Sequence, residues 1–489
     1  MGLNIKAIIK ICGLVIMFIG CFTFIPTIVS LIYGEIQTAM IFLFCGLIFA
    51  LIGCLLFFSI KNTNRKIKSR DGLFTVNMVW LLTIILGAIP LSLAADISFI
   101  DAIFEATSGF TTTGATVIAD VESLPNGVLF WRTFTHWIGG LGIIILVISI
   151  LPSFGKGGYV IAQAEASKSM TDKIMAKYTD TAKRLVSYYA VMTVLCTVFL
   201  WIGKMNFFDS ITHAMGAIST GGFSNYNAGL TELGSYYEYW VLIVFMVFGS
   251  INFTLYYYLF SKHWQEFFRD TELRWFIIFF GGASFLLTLD VFYTGTITNL
   301  GSALTHGTFN LVSTMSTTGL ASANYDLWPT FAKMIILLAM FIGGCSASTS
   351  GGLKVYRIVI VLKLIKRNIS RRLHPHAIVS IKSDEGPMRS DFVSAVAAYV
   401  FLYIVVIFVS SILLSLENQD FTTTASAVIA CTGNVGPGFN EVGPLGNYDV
   451  FSAWGKLILS FDMLAGRLEM FGIILLFTRR FWNPDRFRV

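Results

Sequence analysis

Ten apolar stretches, each long enough to cross a lipid bilayer, account for most of this 489-residue chain. A membrane-spanning helix needs about 20 apolar residues. The predicted crossings are residues 7–33, 37–60, 73–94, 128–151, 183–203, 237–261, 271–293, 331–364, 391–416 and 453–478. Only 13% of the residues are charged, against about 25% in an average soluble domain. The sequence therefore predicts an all-α polytopic membrane protein.

Four shorter apolar segments lie between pairs of these crossings. They cover residues 101–111, 208–219, 303–316 and 420–430. Segments of this length cannot span a bilayer, and they are tolerated at membrane depth only where protein buries them or where they line a water-filled cavity. We therefore predict four re-entrant half-helices, each placed between two spanning helices.

Each predicted half-helix ends in Thr- or Ser-containing residues followed by glycine. The four runs are FTTTGA (110–115), ISTGGF (218–223), MSTTGL (315–320) and ACTGNV (430–435). When they are aligned on Gly114, Gly222, Gly319 and Gly433, the residues thirteen positions earlier are Asp101, Asp209, His306 and Asp420. One such run is compatible with an ordinary helix contact through small residues. Four runs in one register indicate a fourfold pore.

The predicted architecture is four pseudo-repeated units of membrane helix, pore half-helix and membrane helix around a central ion pathway. The units occupy residues 70–155, 180–262, 270–368 and 388–480. An additional N-terminal pair of transmembrane helices covers residues 1–60, and a cytoplasmic tail covers 481–489.

Backbone carbonyls in the four runs can replace the hydration shell of a cation without a fixed charge. The predicted selectivity filter comprises Thr111, Thr112, Thr113, Gly114, Ser219, Thr220, Gly221, Gly222, Ser316, Thr317, Thr318, Gly319, Cys431, Thr432, Gly433 and Asn434. The predicted ion ligands are Thr112, Thr113, Thr220, Gly221, Thr317, Thr318, Cys431 and Thr432. The glycines permit positive φ, and each half-helix directs its negative C-terminal end toward the ion. Cys431, a poor ligand for a hard cation, marks a distinct quadrant.

Basic residues cluster in alternate loops of this topology. They lie at 61–70, 156–184, 262–274, 363–372 and 479–488. The positive-inside rule makes that side of the membrane cytoplasmic and places both termini there. The opposite loops are acidic, which either concentrates cations at an outer vestibule or is ordinary solvated loop charge.

Five motifs resemble the Trk/Ktr/HKT superfamily of potassium transporters, and within it the TrkH-type membrane subunit of the bacterial Trk uptake system. They are GGLGIIILVISILP (139–152), GGCSASTSGGLKVYRI (343–358), RRLHPHAI (371–378), GNVGPG (433–438) and DMLAGRLEMF (462–471). The resemblance implies four pore units, a homodimer with one pore per protomer, K⁺ as the filter ion and a permeant Rb⁺. In related plant transporters a serine at the first filter position goes with Na⁺ transport, so four glycines favour K⁺.

The resemblance also implies a gate below the filter. The run GGCSASTSGG interrupts an apolar segment and cannot form a stable lipid-facing helix; it contains Gly343, Gly344, Ser346, Ser348, Thr349, Ser350, Gly351 and Gly352. A kinked helix at a packing contact is the alternative. Arg467 lies within a predicted crossing, where an arginine is costly. The resemblance implies a pore-facing barrier, whereas a structural ion pair with Glu469 or Asp462 is the alternative.

The function predicted is K⁺ uptake across the bacterial inner membrane by channel-like permeation. No nucleotide-binding motif is present, and the resemblance implies regulation by a cytosolic TrkA-type nucleotide-binding subunit. Loops 156–184, 363–372 and 371–387 are candidate docking elements, although their charge also serves topology alone. No metal or catalytic constellation indicates an enzyme, and K⁺ in the filter is expected instead of a covalently bound cofactor.

Three other functions stay open. The first is a Na⁺-coupled K⁺ symporter of the Ktr type. The second is a metabolite transporter with alternating access, which would favour inverted repeats, whereas the repeats here all run in the same sense. The third is a membrane scaffold, which would leave the four Thr/Ser–Gly runs unexplained.

Overall fold

The computed structural model describes residues 3–60, 68–142, 178–231, 233, 235–260, 263–376, 379–384 and 386–483. Most of the predicted basic loop 156–184 and the end of the tail 481–489 lie outside the described residues. The second part of the predicted crossing 128–151 also lies outside them. The same is true of parts of the motifs GGLGIIILVISILP (139–152) and RRLHPHAI (371–378).

Six described helical segments are long and apolar enough to cross a membrane. They are Ile5–Ile32, Ile36–Ser59, Ser69–Ala94, Ala182–Ile202, Thr271–Tyr293 and Ser390–Glu417. The first segment consists of helices Ile5–Phe22 and Phe24–Ile32, which meet at Thr23, and the fourth belongs to helix Tyr178–Ile202. These segments confirm six of the ten predicted crossings as helices.

The two N-terminal segments cross at close range through glycine. A side chain at Gly20 would meet the backbone of Ala50, and one at Gly53 would meet the backbone of Met17. Small residues allow such close backbone approach between membrane helices. The turn between the segments presents Glu35, whose carboxylate accepts hydrogen bonds from the backbone nitrogens of Asn126 at 2.6 Å and Gly127 at 3.0 Å. This pair is thereby attached to the start of a helix in the first repeat.

Four short helices occupy the positions predicted for the half-helices. They are Phe99–Phe110, Phe207–Ser219, Leu300–Met315 and Phe421–Gly433, hereafter the first to fourth pore helices. Each begins with a side chain that accepts a backbone N–H, as N-caps do: Ser98, Asn206, Asn299 and Asp420. The third pore helix is the longest. His306 therefore lies farther from the start of its helix than Asp101 and Asp209 lie from the starts of theirs.

The helix after each pore helix ends at a similar point of its repeat. These inner helices are Asn126–Leu141, Tyr236–Ser250, Thr330–Ile342 and Ala453–Arg467. The predicted crossings 237–261 and 453–478 are therefore not continuous: the chain resumes as Leu255–Phe260 and Phe471–Ile474. Residues with positive φ follow three of these helices: Gly142 after the first, Gly343 after the third, and Glu469 and Met470 after the fourth. Only the break within 331–364 was predicted.

After its break, the third inner helix continues as Val355–Leu373 and leads to a short hairpin. The strands Lys382–Ser383 and Gly386–Pro387 are antiparallel, with Lys382 opposite Pro387. Ile381 packs with Ile360, Val393 and Val396 in a small apolar cluster. The remaining short helices are Trp264–Arg269, Arg479–Trp482 and the 3₁₀ turns Tyr325–Leu327, Ser415–Glu417, Asn440–Val442, Tyr448–Val450 and Leu475–Phe477.

Candidate ion-conduction site

The segments that follow the four pore helices share one backbone conformation. A residue with left-handed φ of 53–60° is followed two positions later by a glycine with φ of 79–96°. The first residues are Thr112, Thr220, Thr317 and Asn434, and the glycines are Gly114, Gly222, Gly319 and Gly436. Positive φ is unusual for a β-branched residue and costs of order 1–3 kcal/mol. The surrounding structure must therefore impose this shape on the three threonines.

The fourth segment has a different register from the predicted one. Gly433 is the last residue of the fourth pore helix, and Gly436 has the positive φ that the sequence alignment assigned to Gly433. Cys431 and Thr432 therefore lie within the helix. The prediction that they form the fourth quadrant of the filter is wrong in register, because the segment that matches the other three is Gly433 to Gly436.

The four segments close into a ring. A side chain at Gly114 would collide with the carbonyl oxygen of Gly221, and one at Gly222 with that of Thr318. A side chain at Gly319 would collide with the carbonyl oxygen of Val435, and one at Gly436 would contact that of Thr113. Each segment thus lies against the next, and the fourth lies against the first. The carbonyls of Thr113, Gly221, Thr318 and Val435, hereafter the four ring carbonyls, each lie against the glycine of a neighbouring segment.

The ring is set directly on the C-terminal ends of the pore helices. These helices end at Phe110, Ser219, Met315 and Gly433, within two residues of the left-handed positions. Each helix end carries about half a negative charge on its unpaired carbonyls. Four such ends facing one axis make the ring a favourable place for a cation.

The hydroxyl groups of the left-handed threonines have different surroundings. Thr220 donates to the carbonyl of Ser219 at 2.7 Å, and the Thr317 hydroxyl accepts from the backbone nitrogen of Gly351 at 2.7 Å. The Thr112 hydroxyl is buried without a hydrogen-bond partner among the described residues. Two of these three hydroxyls are thus already engaged in hydrogen bonds within the protein.

The segment from Gly343 to Lys354 is an irregular loop beneath the ring, as its composition predicts. The Thr349 hydroxyl donates to the carbonyls of Ile218 at 3.0 Å and Gly249 at 2.9 Å. A side chain at Gly351 would collide with the carbonyl of Gly433. The loop therefore contacts the second, third and fourth pore segments at once.

Two charged residues hold this loop in place. The ammonium group of Lys354 donates to the carbonyls of Ser350 at 2.6 Å and Cys345 at 3.2 Å. The carboxylate of Glu272 accepts from the backbone nitrogens of Ser346 at 2.6 Å and Tyr356 at 3.2 Å. The start and the end of the loop are thus fixed to the same carboxylate oxygen.

Arg467 lies beside the loop, on the same side of the ring. Its guanidinium donates to the carbonyls of Thr349 and Gly139, each at 2.7 Å. Arg467, Lys354 and loop residues 347–352 line a cavity of about 140 Å³. On the other side of the ring, Gly114, Gly222, Gly319 and Pro437 help to line a second cavity of about 100 Å³.

The two acids considered as partners of Arg467 have other contacts. Glu469 forms an ion pair with Arg357 at 2.7 Å, and the Arg357 guanidinium lies 3.9 Å from the centre of the Tyr399 ring. Asp462 accepts from the Ser410 hydroxyl at 2.7 Å. These contacts favour neither acid as the counter-ion of Arg467.

Many of the acids predicted for an outer vestibule have structural contacts. Lys456 forms ion pairs with Asp101 at 2.6 Å and Asp449 at 2.8 Å. Glu238 accepts from the backbone nitrogen of Lys204 at 2.6 Å, and Glu417 accepts from that of Ser452 at 3.0 Å. For these residues the contacts favour a role in packing over one in attracting ions.

The sequence did not lead us to Gly436 or Arg132 as members of the site. Asn434 was named in the filter, yet not as the counterpart of Thr112, although asparagine adopts left-handed φ more readily than most residues. The second glycine of GNVGPG was a signal for the shifted register. Arg132 lies within an apolar crossing, as Arg467 does, and a charge there indicates a buried partner.

Comparisons with known proteins agree with this architecture. A family model described as TrkH, a cation transport protein, matches residues 38–483. The Trk system potassium uptake protein TrkH of Escherichia coli K12 is 33% identical over 489 residues, covering 98% of this chain and all of the relative. The TrkH protein of Halomonas elongata is 31% identical over 485 residues, with the same coverage.

A solved structure is also similar over nearly the whole chain. The crystal structure of the potassium transporter TrkH from Vibrio parahaemolyticus superposes with a TM-score of 0.89 at 32% identity, covering 98% of this chain and 100% of that one. The predicted all-α membrane fold is thereby confirmed, and so is the prediction of a transport protein instead of an enzyme. The chain belongs to the TrkH family of cation transport proteins.

Proposed function

We propose that this chain is the potassium-selective, ion-translocating subunit of a bacterial uptake system in the cytoplasmic membrane. One observation carries the proposal: the closed ring of carbonyls from Thr113, Gly221, Thr318 and Val435. The relatives described as Trk system potassium uptake proteins support K⁺ as the transported ion.

In this proposal, K⁺ exchanges its hydration shell for the ring carbonyls and leaves again without a fixed charge to hold it. The four pore-helix ends lower the energy of a cation on the axis. The corrected register keeps glycine in all four segments, because Gly436 takes the place assigned to Gly433. Glycine therefore occupies this position in all four segments, which supports K⁺ over Na⁺ as the selected ion.

We further propose that loop 343–354 and Arg467 form the gate. The loop contacts Ile218, Thr317 and Gly433, which belong to three of the four pore segments. The positive charge of Arg467 opposes a cation on the axis below them. Flux then requires the loop to leave the axis and the guanidinium to exchange the carbonyls of Thr349 and Gly139 for other partners.

In this proposal a cytosolic nucleotide-binding partner regulates the chain. Two copies of the chain assemble as a homodimer. The basic end of helix Val355–Leu373, with Arg371 and Arg372, and the hairpin at 382–387 form the proposed docking region. The Thr271 backbone nitrogen donates to Asp384 of the hairpin at 2.9 Å, and the neighbouring Glu272 holds the loop. This contact gives the docking region a physical connection to the gate. Both termini are proposed to be cytoplasmic.

Flux into proteoliposomes tests the proposal. The purified chain should carry K⁺ and Rb⁺ well above Na⁺ and Li⁺, with or without a Na⁺ gradient. Equal K⁺ and Na⁺ flux would refute selectivity, and a requirement for Na⁺ would favour the coupled symporter instead. R467A should raise K⁺ flux in the absence of a partner, whereas R389Q, which alters an exposed ion pair, should not. Unchanged flux in R467A would exclude Arg467 from the gate.

A further inference from the structure

In three of the four repeats, the residue nine positions before the ring glycine forms a hydrogen bond with the segment that follows the glycine. In the first three repeats this residue is Glu105, His213 or Asn310. His213 Nε2 lies 3.3 Å from the hydroxyl of Ser224, and the Asn310 amide oxygen accepts from the backbone nitrogen of Ser322 at 3.2 Å. In the fourth repeat the neighbouring Ser426 accepts from the backbone nitrogen of Phe439 at 2.9 Å. Each pore helix thus holds its own outer segment.

Glu105 is the charged member of this set, and it is completely buried. Its carboxylate accepts from the backbone nitrogen of Val117 at 3.2 Å and from the hydroxyl of Thr116 at 3.1 Å. It also forms an ion pair with Nε of Arg132 at 2.7 Å, and both side chains are at most 1% exposed. Arg132 belongs to the first inner helix, behind the ring.

Arg132 extends this contact from the first segment to the second. One terminal nitrogen donates to the Thr116 hydroxyl at 3.2 Å, and the other donates to the carbonyl of Ser224 at 3.4 Å. The guanidinium lies 4.3 Å from the centre of the Phe223 ring, a cation–π distance. Thr116 follows Gly114 by two residues, and Phe223 directly follows Gly222. One fork-shaped cation therefore binds both segments just beyond their ring glycines.

His136, one helical turn after Arg132, continues the same contact. Its Nε2 accepts from the backbone nitrogen of Phe223 at 3.2 Å, so its Nδ1 carries the proton and donates to the carbonyl of Gly109 at 2.7 Å. At the other junctions the described contacts include neutral hydrogen bonds near the ring, and the fourth and first repeats are also joined by the ion pair of Lys456 with Asp101 at the outer end of the first pore helix. The neutral hydrogen bonds include Leu230 with Ala321, Tyr325 with Gly438, and Asn434 with Thr113.

We propose that Glu105 and Arg132 are positioning residues that set the spacing between the first and second filter segments and thereby the discrimination between K⁺ and Na⁺. The inference rests on the proposed function. A buried ion pair often contributes little net stability compared with apolar side chains of similar size. The guanidinium contributes orientation instead, because its planar fork donates at once to Glu105, Thr116 and Ser224. Carbonyls that can shift toward a smaller ion would bind Na⁺ better, and this pair restricts that shift in two adjacent quadrants.

The test measures Na⁺ and K⁺ flux through R132K and T116V in proteoliposomes, together with thermal unfolding. R132K keeps the charge but lacks the fork that reaches Thr116 and Ser224. We expect the Na⁺/K⁺ flux ratio to rise about tenfold, which corresponds to the loss of one charge-assisted hydrogen bond. T116V removes one shared hydroxyl at nearly constant volume and should shift the ratio in the same direction by less. D101N, on the same pore helix but at its outer end, should leave the ratio unchanged.

A lower unfolding temperature with an unchanged flux ratio in both R132K and T116V would overturn the inference and leave the pair a purely structural role. If R132K does not fold, T116V alone decides, because it leaves the ion pair intact. A wild-type chain without discrimination between K⁺ and Na⁺ would refute the proposed function itself. A selective wild type with equally selective variants would refute only the positioning role.

Discussion

The backbone nitrogen of Gly351 donates a 2.7 Å hydrogen bond to the hydroxyl of Thr317. This bond joins the loop beneath the ring to a residue whose own backbone has the left-handed conformation of the ring segments. The loop and the ring are therefore in direct contact, and the conformation of one affects the other.

T317V should weaken the closed position of the loop. Valine keeps the shape of threonine but leaves the buried Gly351 N–H without its acceptor, which costs about 1–3 kcal/mol. We expect basal K⁺ flux to rise about tenfold in proteoliposomes that lack a partner protein. T317S, which keeps the hydroxyl, should behave like the wild type. T112V removes the equivalent hydroxyl of the first segment, which has no hydrogen-bond partner in the described part of the chain, so equal activation in T112V would contradict this explanation.

The shifted register predicts that G436A is more damaging than G433A. Alanine at Gly436 would need a φ of 96° and would press against the carbonyl of Thr113, at a cost of about 1–2 kcal/mol for the conformation alone. Gly433 is helical, so G433A requires only small shifts of its neighbours. We expect G436A to lose most K⁺ flux, as G114A should. A greater loss in G433A than in G436A would restore the register predicted from the sequence.

E272A should release both ends of the loop. The carboxylate oxygen that accepts from Ser346 and Tyr356 is absent in alanine, so two buried N–H groups lose their acceptor. We expect E272A alone to raise basal K⁺ flux. In the double variant, R467A should raise the flux by a smaller factor than it does in the wild type, because both substitutions act on the same closed state. E272Q keeps an oxygen acceptor and serves as the matched control. Additive effects of E272A and R467A would show that the two residues act separately.

E35A should affect stability and leave selectivity unchanged. The Glu35 carboxylate caps the start of helix Asn126–Leu141 through Asn126 and Gly127, and loss of a cap costs about 0.5–2 kcal/mol. We expect a lower unfolding temperature in detergent with an unchanged Na⁺/K⁺ flux ratio. E35Q, which can still accept one of the bonds, should be intermediate. A changed flux ratio would mean that the N-terminal pair contributes to the filter.

The length and composition of the apolar runs were sufficient to predict most of the helical architecture. Long runs such as 37–60 and 391–416 became uninterrupted helices because each can satisfy its own backbone hydrogen bonds in lipid. The short segment before Gly114 became a pore helix for the same local reason, with Ser98 as its cap. The run GGCSASTSGG became a loop because glycine and serine there do not support a helix. These features depend on neighbours along the chain.

The break after Ser250 was not predictable, because the run 237–261 has the length and composition of a spanning helix. At this break the chain contacts the loop: Cys345 donates its backbone nitrogen to the carbonyl of Ser250, and Phe253 donates to that of Ala347. Such bonds join residues about a hundred positions apart. A local pattern carries no record of them.

The sequence by itself determined that this chain spans a membrane many times and that four Thr/Ser–Gly runs recur between its helices, because apolar length and backbone hydrogen bonding are local properties. Only the tertiary structure decided which glycine completes the ring. Gly433 fits the spacing along the chain, but Gly436 alone has the backbone conformation and the contact with Thr113 that close the circle. The same holds for Glu105 and Arg132, which pair with each other and contact the first and second ring segments. Ring closure and buried charge pairing are relations across the fold, and spacing within one repeat does not encode them.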